Sequence, residues 1–302
     1  MYLLFDVGGT SIKAMAADAS GALLTQAALT WPTHTNGSRE EVLGDFHGAL
    51  SALWALAPAA PLDGIGYAIT GPFDYERGIS LIRGVGKYEA IYGLPLRDLM
   101  GEWAAAEGRP LGSGFSVLLR NDAAMFALGE AWRGLARGFS RAMCVTLGTG
   151  CGSSFTVDGH LVTEGAKVPR DGFIYNTPFR DSVIDDYISR RGILLLAKEA
   201  GLPVHDDVRG LAALAGAGDS RALKLFAEFG ARFGEAVKIW ADRFLPDILV
   251  VGGGIARAHG FFDPALRQAL PGLHIAYAED TSRSAFLGLL NILLEKGGNR
   301  HG

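Results

Sequence analysis

The sequence predicts an α/β fold made of two related lobes. A strand, a glycine turn and a return strand occur twice, over residues 2–13 and again over residues 142–157, and both copies then turn toward a third strand. After the first copy, strand, helix and strand alternate, which is typical of a largely parallel sheet. We therefore expect an N-terminal lobe over residues 1–114 and a C-terminal lobe over residues 115–283. A last helix, at about residues 284–296, is expected to return to the first lobe.

Length and composition limit the classes of function. A chain of 302 residues is long enough for two lobes of roughly 100–200 residues each. The formal charge is 28 − 32 = −4 with no basic run, so a nucleic-acid partner or an anionic membrane is not predicted. No apolar run has the length of a membrane span and no signal peptide opens the chain, which predicts a cytoplasmic protein. The two cysteines, Cys144 and Cys151, form neither a disulfide framework nor a Cys-x-x-Cys metal pair.

The first glycine turn is a candidate phosphate site. An apolar run ends at Asp6, and Gly8 and Gly9 can take the positive φ of a tight hairpin. Such a turn exposes backbone N–H groups and the hydroxyl of Thr10 beside a carboxylate, which suits a phosphate and its metal. Hairpins of this type are also common in proteins that bind nothing at the turn.

The second glycine turn strengthens the phosphate interpretation. Thr146 ends an apolar strand, and Gly148, Thr149 and Gly150 form the turn before the return strand. Two turns of the same chemistry at corresponding places indicate two lobes that face each other.

The segment after the first hairpin predicts a helix and then a buried strand. Ser38 and Glu41 form a capping box, and apolar residues at helical spacing extend to Trp54. The strand over residues 64–69 ends at Gly71 and Pro72, where α/β folds place ligands. This loop is a candidate substrate wall, with a plain turn as the alternative. An irregular segment and a helix over residues 94–107 follow.

The second lobe is predicted to begin with a strand over residues 115–119. Asn121 and Asp122 follow it and lead into a helix that carries apolar residues to position 135. A pair of this kind at a strand-to-helix junction is commonly an N-cap. The alternative is that Asp122 is a catalytic base at the mouth of a cleft.

The remaining chain predicts a loop, several helices and a glycine-rich strand end. Residues 160–186 have little periodicity and are expected to form an extended loop. Helices are predicted over residues 182–200, 209–215 and 220–244. A buried strand over residues 247–251 then ends at Gly252, Gly253 and Gly254, which would let the backbone approach a flat ligand such as a nucleotide base or ribose.

Taken together, these motifs resemble the ROK family of sugar kinases, within the superfamily that also holds actin and Hsp70-type ATPases. The matching motifs are spread in the family's order over about 250 residues, and five in order are far more specific than any one. They are Asp6-Val7-Gly8-Gly9-Thr10 with Lys13, Thr70-Gly71-Pro72-Phe73-Asp74, Asn121-Asp122-Ala123 with Gly129-Glu130-Ala131, Thr146-Leu147-Gly148-Thr149-Gly150-Cys151-Gly152, and Pro246-Asp247 with Gly252-Gly253-Gly254.

The resemblance implies two ribonuclease-H-like lobes of the actin-like ATPase fold, with ATP and a sugar meeting in the cleft between them. Asp122 would be the general base and Asn121 would hold the sugar, with Gly71 and Pro72 beside it. Asp6 would place Mg²⁺. The remaining residues implied to bind ATP are Gly8, Gly9, Thr10, Lys13, Thr146, Gly148, Thr149, Gly150, Gly252, Gly253 and Gly254.

The departures from the family pattern are as informative. Many members carry a cysteine-rich zinc motif with a histidine after the second hairpin, but residues 165–189 contain neither Cys nor His, so no structural zinc is expected. Asp171 falls where the family's sugar-binding Glu would stand, and Tyr175 falls roughly at the histidine. The match is closest to the zinc-free branch that resembles bacterial β-glucoside kinases. The resemblance also implies a possible homodimer.

The leading hypothesis is therefore a kinase that transfers phosphate from ATP to a hexose, hexosamine or β-glucoside, with the 6-hydroxyl as the expected acceptor. The alternative is a sugar-binding or regulatory protein that kept the fold without catalysis. A Rossmann dehydrogenase is disfavoured because Gly8-Gly9 leads into a strand and not a helix. A P-loop kinase is excluded because no G-x-x-x-x-G-K-[ST] motif occurs.

Overall fold

The computed structural model describes residues 1–24, 27–203 and 207–298, and the chain divides into two compact units. The first comprises Met1–Gly129 and the segment from Ser282 onward, and the second comprises Glu130–Thr281. The boundary lies later than the predicted one at residue 115. The reason is that the strand expected to open the second lobe extends over Leu111–Arg120 and pairs with the sheet of the first unit.

The first unit is built on one five-stranded sheet. Its elements are β1 (Tyr2–Val7), β2 (Ser11–Ala17), β3 (Leu29–Pro32), α1 (Arg39–Leu56), β4 (Leu62–Ile69), β5 (Phe73–Asp74), β6 (Ile79–Ser80), α2 (Leu96–Ala106), β7 (Leu111–Arg120) and α3 (Asp122–Arg133). The strand order is β3-β2-β1-β4-β7. The first three strands are antiparallel neighbours, whereas β4 and β7 run parallel to β1.

Local sequence signals explain the helix that covers this sheet. Ser38 caps α1 through the complete capping box with Glu41 that the sequence predicts. Its buried face includes Phe46, which packs near the ring of Tyr67 on β4 at 6.1 Å between centroids. Tyr67 in turn stacks on Phe5 of β1 at 4.5 Å. These contacts form a core between the helix and the parallel part of the sheet.

The second unit repeats the plan. Its elements are β8 (Arg141–Leu147), β9 (Cys151–Val157), β10 (His160–Leu161), β11 (Pro178–Phe179), β12 (Ser182–Val183), α4 (Ile184–Ile188), α5 (Arg190–Glu199), α6 (Asp207–Gly216), α7 (Ser220–Phe244), β13 (Ile248–Gly252), α8 (His259–Ala269) and β14 (His274–Tyr277). The sheet order β10-β9-β8-β13-β14 has the same two antiparallel steps followed by two parallel steps as the first sheet. The two lobes are therefore related, as the duplicated hairpins predict.

Two parts of this unit differ from the prediction. The helix expected over residues 182–200 is two helices, because Ser189 adopts an extended conformation and caps α5 through its side chain. Helix α8 and strand β14 have no counterpart in the sequence prediction. Pro264 lies inside α8, and a proline in a helix interior argues against a helix when only the sequence is known.

The last helix, α9 (Thr281–Gly298), packs against α3 within the first unit. A Cβ at Gly129 of α3 would lie 1.8 Å from the carbonyl oxygen of Ser284, so only glycine permits this approach. In the described part of the chain, no helix combines the length and apolar character needed to span a bilayer.

Candidate active site

Parallel pairing collects the predicted residues of the first unit at one edge of its sheet. Strands β1, β4 and β7 run in the same direction, and register aligns Asp6 with Ala68 and Ala68 with Arg120. The turn after β1, the loop after β4 and the junction after β7 therefore lie along the carboxyl edge, where α/β folds bind ligands. Asp6, Gly71 and Asp122 all belong to this edge.

The first glycine turn is closed by one backbone hydrogen bond and is open on its outer side. Gly8 N–H donates to the Ser11 carbonyl at 3.0 Å, and Gly8, Gly9 and Thr10 are exposed. The expected positive φ is wrong, because neither Gly8 nor Gly9 lies in the left-handed region. A Cβ on Gly9 would meet no atom within 4 Å, so the fold itself does not demand glycine there. A bare backbone at this place suits a ligand that approaches closely, such as a phosphate.

Two partly buried hydrogen bonds hold this turn and its return strand. Tyr88 Oη donates to the Gly8 carbonyl at 2.6 Å, and burial raises the pKa of Tyr88 to about 12. Lys13 Nζ donates to Ser282 Oγ at 3.0 Å, which links β2 to the start of α9. The sequence did not identify Tyr88, because it lies in the irregular segment after β6 and contacts the turn across 80 positions of chain.

Asn121 and Asp122 share the junction between β7 and α3. Asn121 Oδ1 accepts from the backbone N–H of Ala124 at 3.0 Å, so Asn121 caps the helix. Asp122 is the first helical residue, and its Oδ1 accepts from the Ala123 N–H at 2.9 Å. The N-cap interpretation thus holds for Asn121, while the carboxylate of Asp122 remains available for chemistry on its second oxygen.

The environment of Asp122 favours its neutral form. Burial raises the pKa of Asp122 above the ordinary value, and the backbone N–H of Ala123 and the charge of Lys87 oppose this shift in part. A carboxyl with a raised pKa is better matched to accept a proton near neutral pH. Lys87 was not identified from the sequence.

The loop after β4 contacts the same junction through a tyrosine. The Gly71–Pro72 peptide is cis, Gly71 is half-buried and Pro72 is exposed. Tyr75 Oη donates to the Ile69 carbonyl at 2.9 Å and accepts from Asn121 Nδ2 at 3.4 Å. The candidate substrate wall and the candidate sugar-binding amide are therefore neighbours.

The second glycine turn is also closed by a backbone hydrogen bond, and a carboxylate from α4 holds the residue that follows it. Gly148 N–H donates to the Gly150 carbonyl at 3.0 Å, and Thr149 and Gly150 are exposed. Asp185 Oδ1 accepts from the Cys151 N–H at 2.6 Å, and its other oxygen pairs with Arg191. The sequence did not identify Asp185, because it lies where the predicted loop over residues 160–186 and the predicted helix over residues 182–200 overlap, and its contact with the turn spans 34 positions.

The end of β13 carries one glycine that the fold requires and one that has no atoms near its Cβ position. Gly252 closes β13 and pairs with Thr146 of β8. Gly253 has φ 92°, and a Cβ there would lie 2.2 Å from the Leu147 carbonyl oxygen, so the fold requires this glycine. A Cβ on Gly254 would meet nothing within 4 Å. Gly254 is thus the member of the triplet that leaves room for a ligand.

Asp171 lies in a loop that is held on β9. Ser153 Oγ donates to the Gly172 carbonyl at 2.7 Å, and Asp171 itself has φ 59° and an exposed side chain 3.6 Å from Arg170 Nε. A role for Asp171 in sugar binding stays a prediction. Across residues 1–24, 27–203 and 207–298, no group of three or more His, Cys, Asp or Glu side chains is arranged to hold a metal ion.

Two repeated five-stranded units with glycine turns at their carboxyl edges define the two-lobed class of actin-like ATPases and sugar kinases. Within that class, the model of the ROK family matches residues 2–284, and the chain belongs to this family.

Individual relatives cover nearly the whole chain. Over 284 residues, 29% are identical to a glucokinase of Thermotoga maritima, covering 87% of this chain and 84% of that protein. A β-glucoside kinase of Klebsiella pneumoniae is 26% identical, covering 95% and 92%. The solved structure of a ROK family glucokinase from Streptomyces griseus, in complex with glucose and AMPPNP, superposes with a TM-score of 0.72 at 20% identity, covering 96% and 98%. That structural match shows the shared fold.

Proposed function

We propose that this protein transfers the γ-phosphoryl group of ATP to a hydroxyl of a hexose, a hexosamine or a β-glucoside, with the 6-hydroxyl as acceptor. The observation that carries the proposal is Asp122, a carboxyl with a raised pKa beside the amide of Asn121 at the edge that bears the first glycine turn. The glucokinase and β-glucoside kinase relatives support the substrate class.

In this mechanism the chain mainly positions its substrates and neutralises charge. Asp122 accepts the proton of the sugar hydroxyl while the oxygen of that hydroxyl forms a bond to the γ-phosphorus. The bond from phosphorus to the β,γ-bridging oxygen breaks, and ADP leaves. Asn121 holds the sugar beside the base. The N–H groups of Gly8 and Gly148 are bonded within their own turns, so those of residues 9–10 and 149–150 would face the phosphates. Gly254 would lie beside the adenosine. General-base assistance is worth about 10²–10⁴-fold.

The residues near the first turn fit a magnesium ion carried by the nucleotide. Asp6 places a carboxylate directly before the open backbone of Gly8 and Gly9, and hard oxygen ligands together with phosphate oxygens are what Mg²⁺ prefers. When bound, the ion would neutralise phosphate charge.

We also propose that the protein is cytoplasmic, since ATP is the donor. We further propose that it forms a homodimer, which analytical ultracentrifugation tests.

The experiment that tests the function is a coupled ADP-release assay with ATP and Mg²⁺ over aldohexoses, N-acetylated hexosamines and β-glucosides. We expect ADP release that depends on one sugar class and falls on the order of 10²-fold or more in Asp122→Asn. Sugar binding by calorimetry without ADP release from any sugar would instead establish the non-catalytic, sugar-binding protein.

A further inference from the structure

Tyr75 is fixed in the site by contacts at both its backbone and its side chain. Its carbonyl accepts from Arg97 Nη2 at 2.7 Å and from Arg120 Nη1 at 3.5 Å. Its ring stacks on Phe73 with centroids 5.6 Å apart and planes 22° apart. A Cβ on Gly71 would lie 3.2 Å from the Tyr75 hydroxyl, so the glycine of the candidate substrate wall gives this hydroxyl its space.

The hydrogen bonds around this hydroxyl run in one direction. The Ala124 N–H can only donate, so the atom of Asn121 that faces it is Oδ1 and the atom that faces Tyr75 is Nδ2. Since Nδ2 can only donate, Tyr75 accepts that bond and sends its own proton to the Ile69 carbonyl, which can only accept.

This chain of bonds leaves Asn121 little freedom. Its oxygen already accepts the helix-cap bond and one Nδ2 hydrogen is bonded to Tyr75, so of its two donor hydrogens a single one is left for a ligand. Because that hydrogen is a donor, it pairs with an oxygen of a sugar hydroxyl beside Asp122. The orientation of the amide therefore determines what the site can recognise.

We propose that Tyr75 is a positioning and specificity-determining residue, which fixes the Asn121 amide as a hydrogen-bond donor to the acceptor sugar. The sugar part of this inference rests on the proposed kinase function. The link between Tyr75 and Asn121 does not, because it is a hydrogen bond within the protein itself.

The test compares Tyr75→Phe with Tyr67→Phe. Both lose one buried hydroxyl, but that of Tyr67 has no hydrogen-bond partner within the described residues. For Tyr75→Phe we expect KM for the sugar to rise about tenfold, the loss of a typical hydrogen bond, while kcat and KM for ATP change less than about threefold. Tyr67→Phe should leave all three unchanged. An unaltered sugar KM in folded Tyr75→Phe would overturn the proposal.

A double-mutant cycle separates positioning from a direct contact. If Tyr75 acts through Asn121, then Tyr75→Phe should cost less than about threefold in kcat/KM when Asn121→Ala is already present. A tenfold loss that persists in the Asn121→Ala background would show that Tyr75 acts by another route.

A measurement without substrate tests the link between Tyr75 and Asn121 independently of the kinase function. The side-chain amide resonances of Asn121, assigned by their loss in Asn121→Asp, should shift in Tyr75→Phe and not in Tyr67→Phe. Unshifted resonances would refute the link. Shifted resonances in a protein that phosphorylates no sugar would refute the kinase function and leave the link standing.

Discussion

At the scale of single residues, Lys87 modulates the acidity of the proposed base. The charge of Lys87 lowers the pKa of Asp122, against the larger raising effect of burial. A base must be deprotonated to act, so kcat/KM should fall as the pH drops through the raised pKa of Asp122. Lys87→Met should move this acid limb to higher pH, because the opposing charge is gone. Lys198→Met, on the exposed face of α5, should leave the limb in place, and a shift of equal size there would contradict the assignment.

The burial of Asp122 also predicts how the stability of the fold depends on pH. A carboxyl whose pKa is raised in the folded state stabilises the fold in its protonated form, and this contribution is lost as the pH rises through the folded pKa. Above that pKa the charged form of Asp122 therefore costs stability. We expect Asp122→Asn, which is isosteric and neutral, to have a Tm at pH 7 equal to or above that of the wild type.

Thermal unfolding followed by circular dichroism checks this at pH 7 and at the most acid pH where the wild type stays folded. The difference in Tm should shrink in acid, since both side chains are then neutral. A lower Tm for Asp122→Asn at pH 7 would mean that the charge stabilises the fold and that the raised pKa is wrong.

A substitution at Gly9 distinguishes what the fold requires from what ligand binding requires. A Cβ there meets no protein atom within 4 Å and the backbone is not left-handed, so Gly9→Val should fold normally. The added side chain occupies the space in front of the turn, and KM for ATP should rise at least about tenfold while KM for the sugar is unchanged. Gly44→Val, equally open on the exposed face of α1, is the control. An unchanged ATP KM would remove this turn from the nucleotide site.

At the scale of elements, the start of α4 holds the second glycine turn in shape. Asp185 accepts from the Cys151 N–H and pairs with Arg191, and its side chain is only 16% exposed. Asp185→Ala leaves the N–H unsatisfied, so we expect a loss of about 1–3 kcal/mol in unfolding free energy and a higher KM for ATP. Asp185→Asn, which can still accept that hydrogen bond, should lose less.

Asp186→Ala is the matched control, because this neighbouring carboxylate also lies near Arg191, at 3.2 Å, but is 41% exposed. Chemical denaturation and ATP kinetics on the three variants measure both effects. Equal losses at positions 185 and 186 would show that the ion pairs with Arg191, and not the contact with the turn, carry the effect.

Elements with strong local signals were predictable from the sequence, and those fixed by distant contacts were not. The capping box of α1 and the long apolar stripe of α7 each lie within one segment, so their periodicity is sufficient. Beside the break at Ser189, the Arg190 N–H donates to the distant Gly148 carbonyl at 2.9 Å, and the helix around Pro264 packs against α7. For the same reason the glycine turns were found as motifs, whereas Tyr75, Tyr88 and Asp185 act across 34 to 80 positions of chain and carry no local signature.

At the scale of the whole molecule, the duplicated sheet explains why the motifs come in pairs. Each unit begins with an antiparallel hairpin whose first strand is also paired in parallel with a later strand. The hairpin turn and the end of the later strand are thereby brought to one edge in each unit. The first edge carries Asp6 and Gly71, and the second carries Gly148 and Gly254.

Each sheet also has its own apolar core. Phe155 of β9 packs edge-on against Phe244 of α7 at 5.0 Å in the second unit, while Phe46 packs against Tyr67 in the first. Truncation of such a fully buried ring costs about 3–5 kcal/mol. Because the two clusters share no residue, we expect Phe155→Ala to lower the protection of its own unit first.

Hydrogen–deuterium exchange resolved by peptide measures this. Phe155→Ala should speed exchange in β8, β9 and β13 while β1 and β4 keep the wild-type rate, and Phe46→Ala should give the reverse pattern. Acceleration of the same size in both sheets for either variant would show that the two units open as one cooperative body. In that case a ligand that contacts the edge of one sheet would stabilise both sheets equally. The two glycine turns would then belong to one cooperatively unfolding unit.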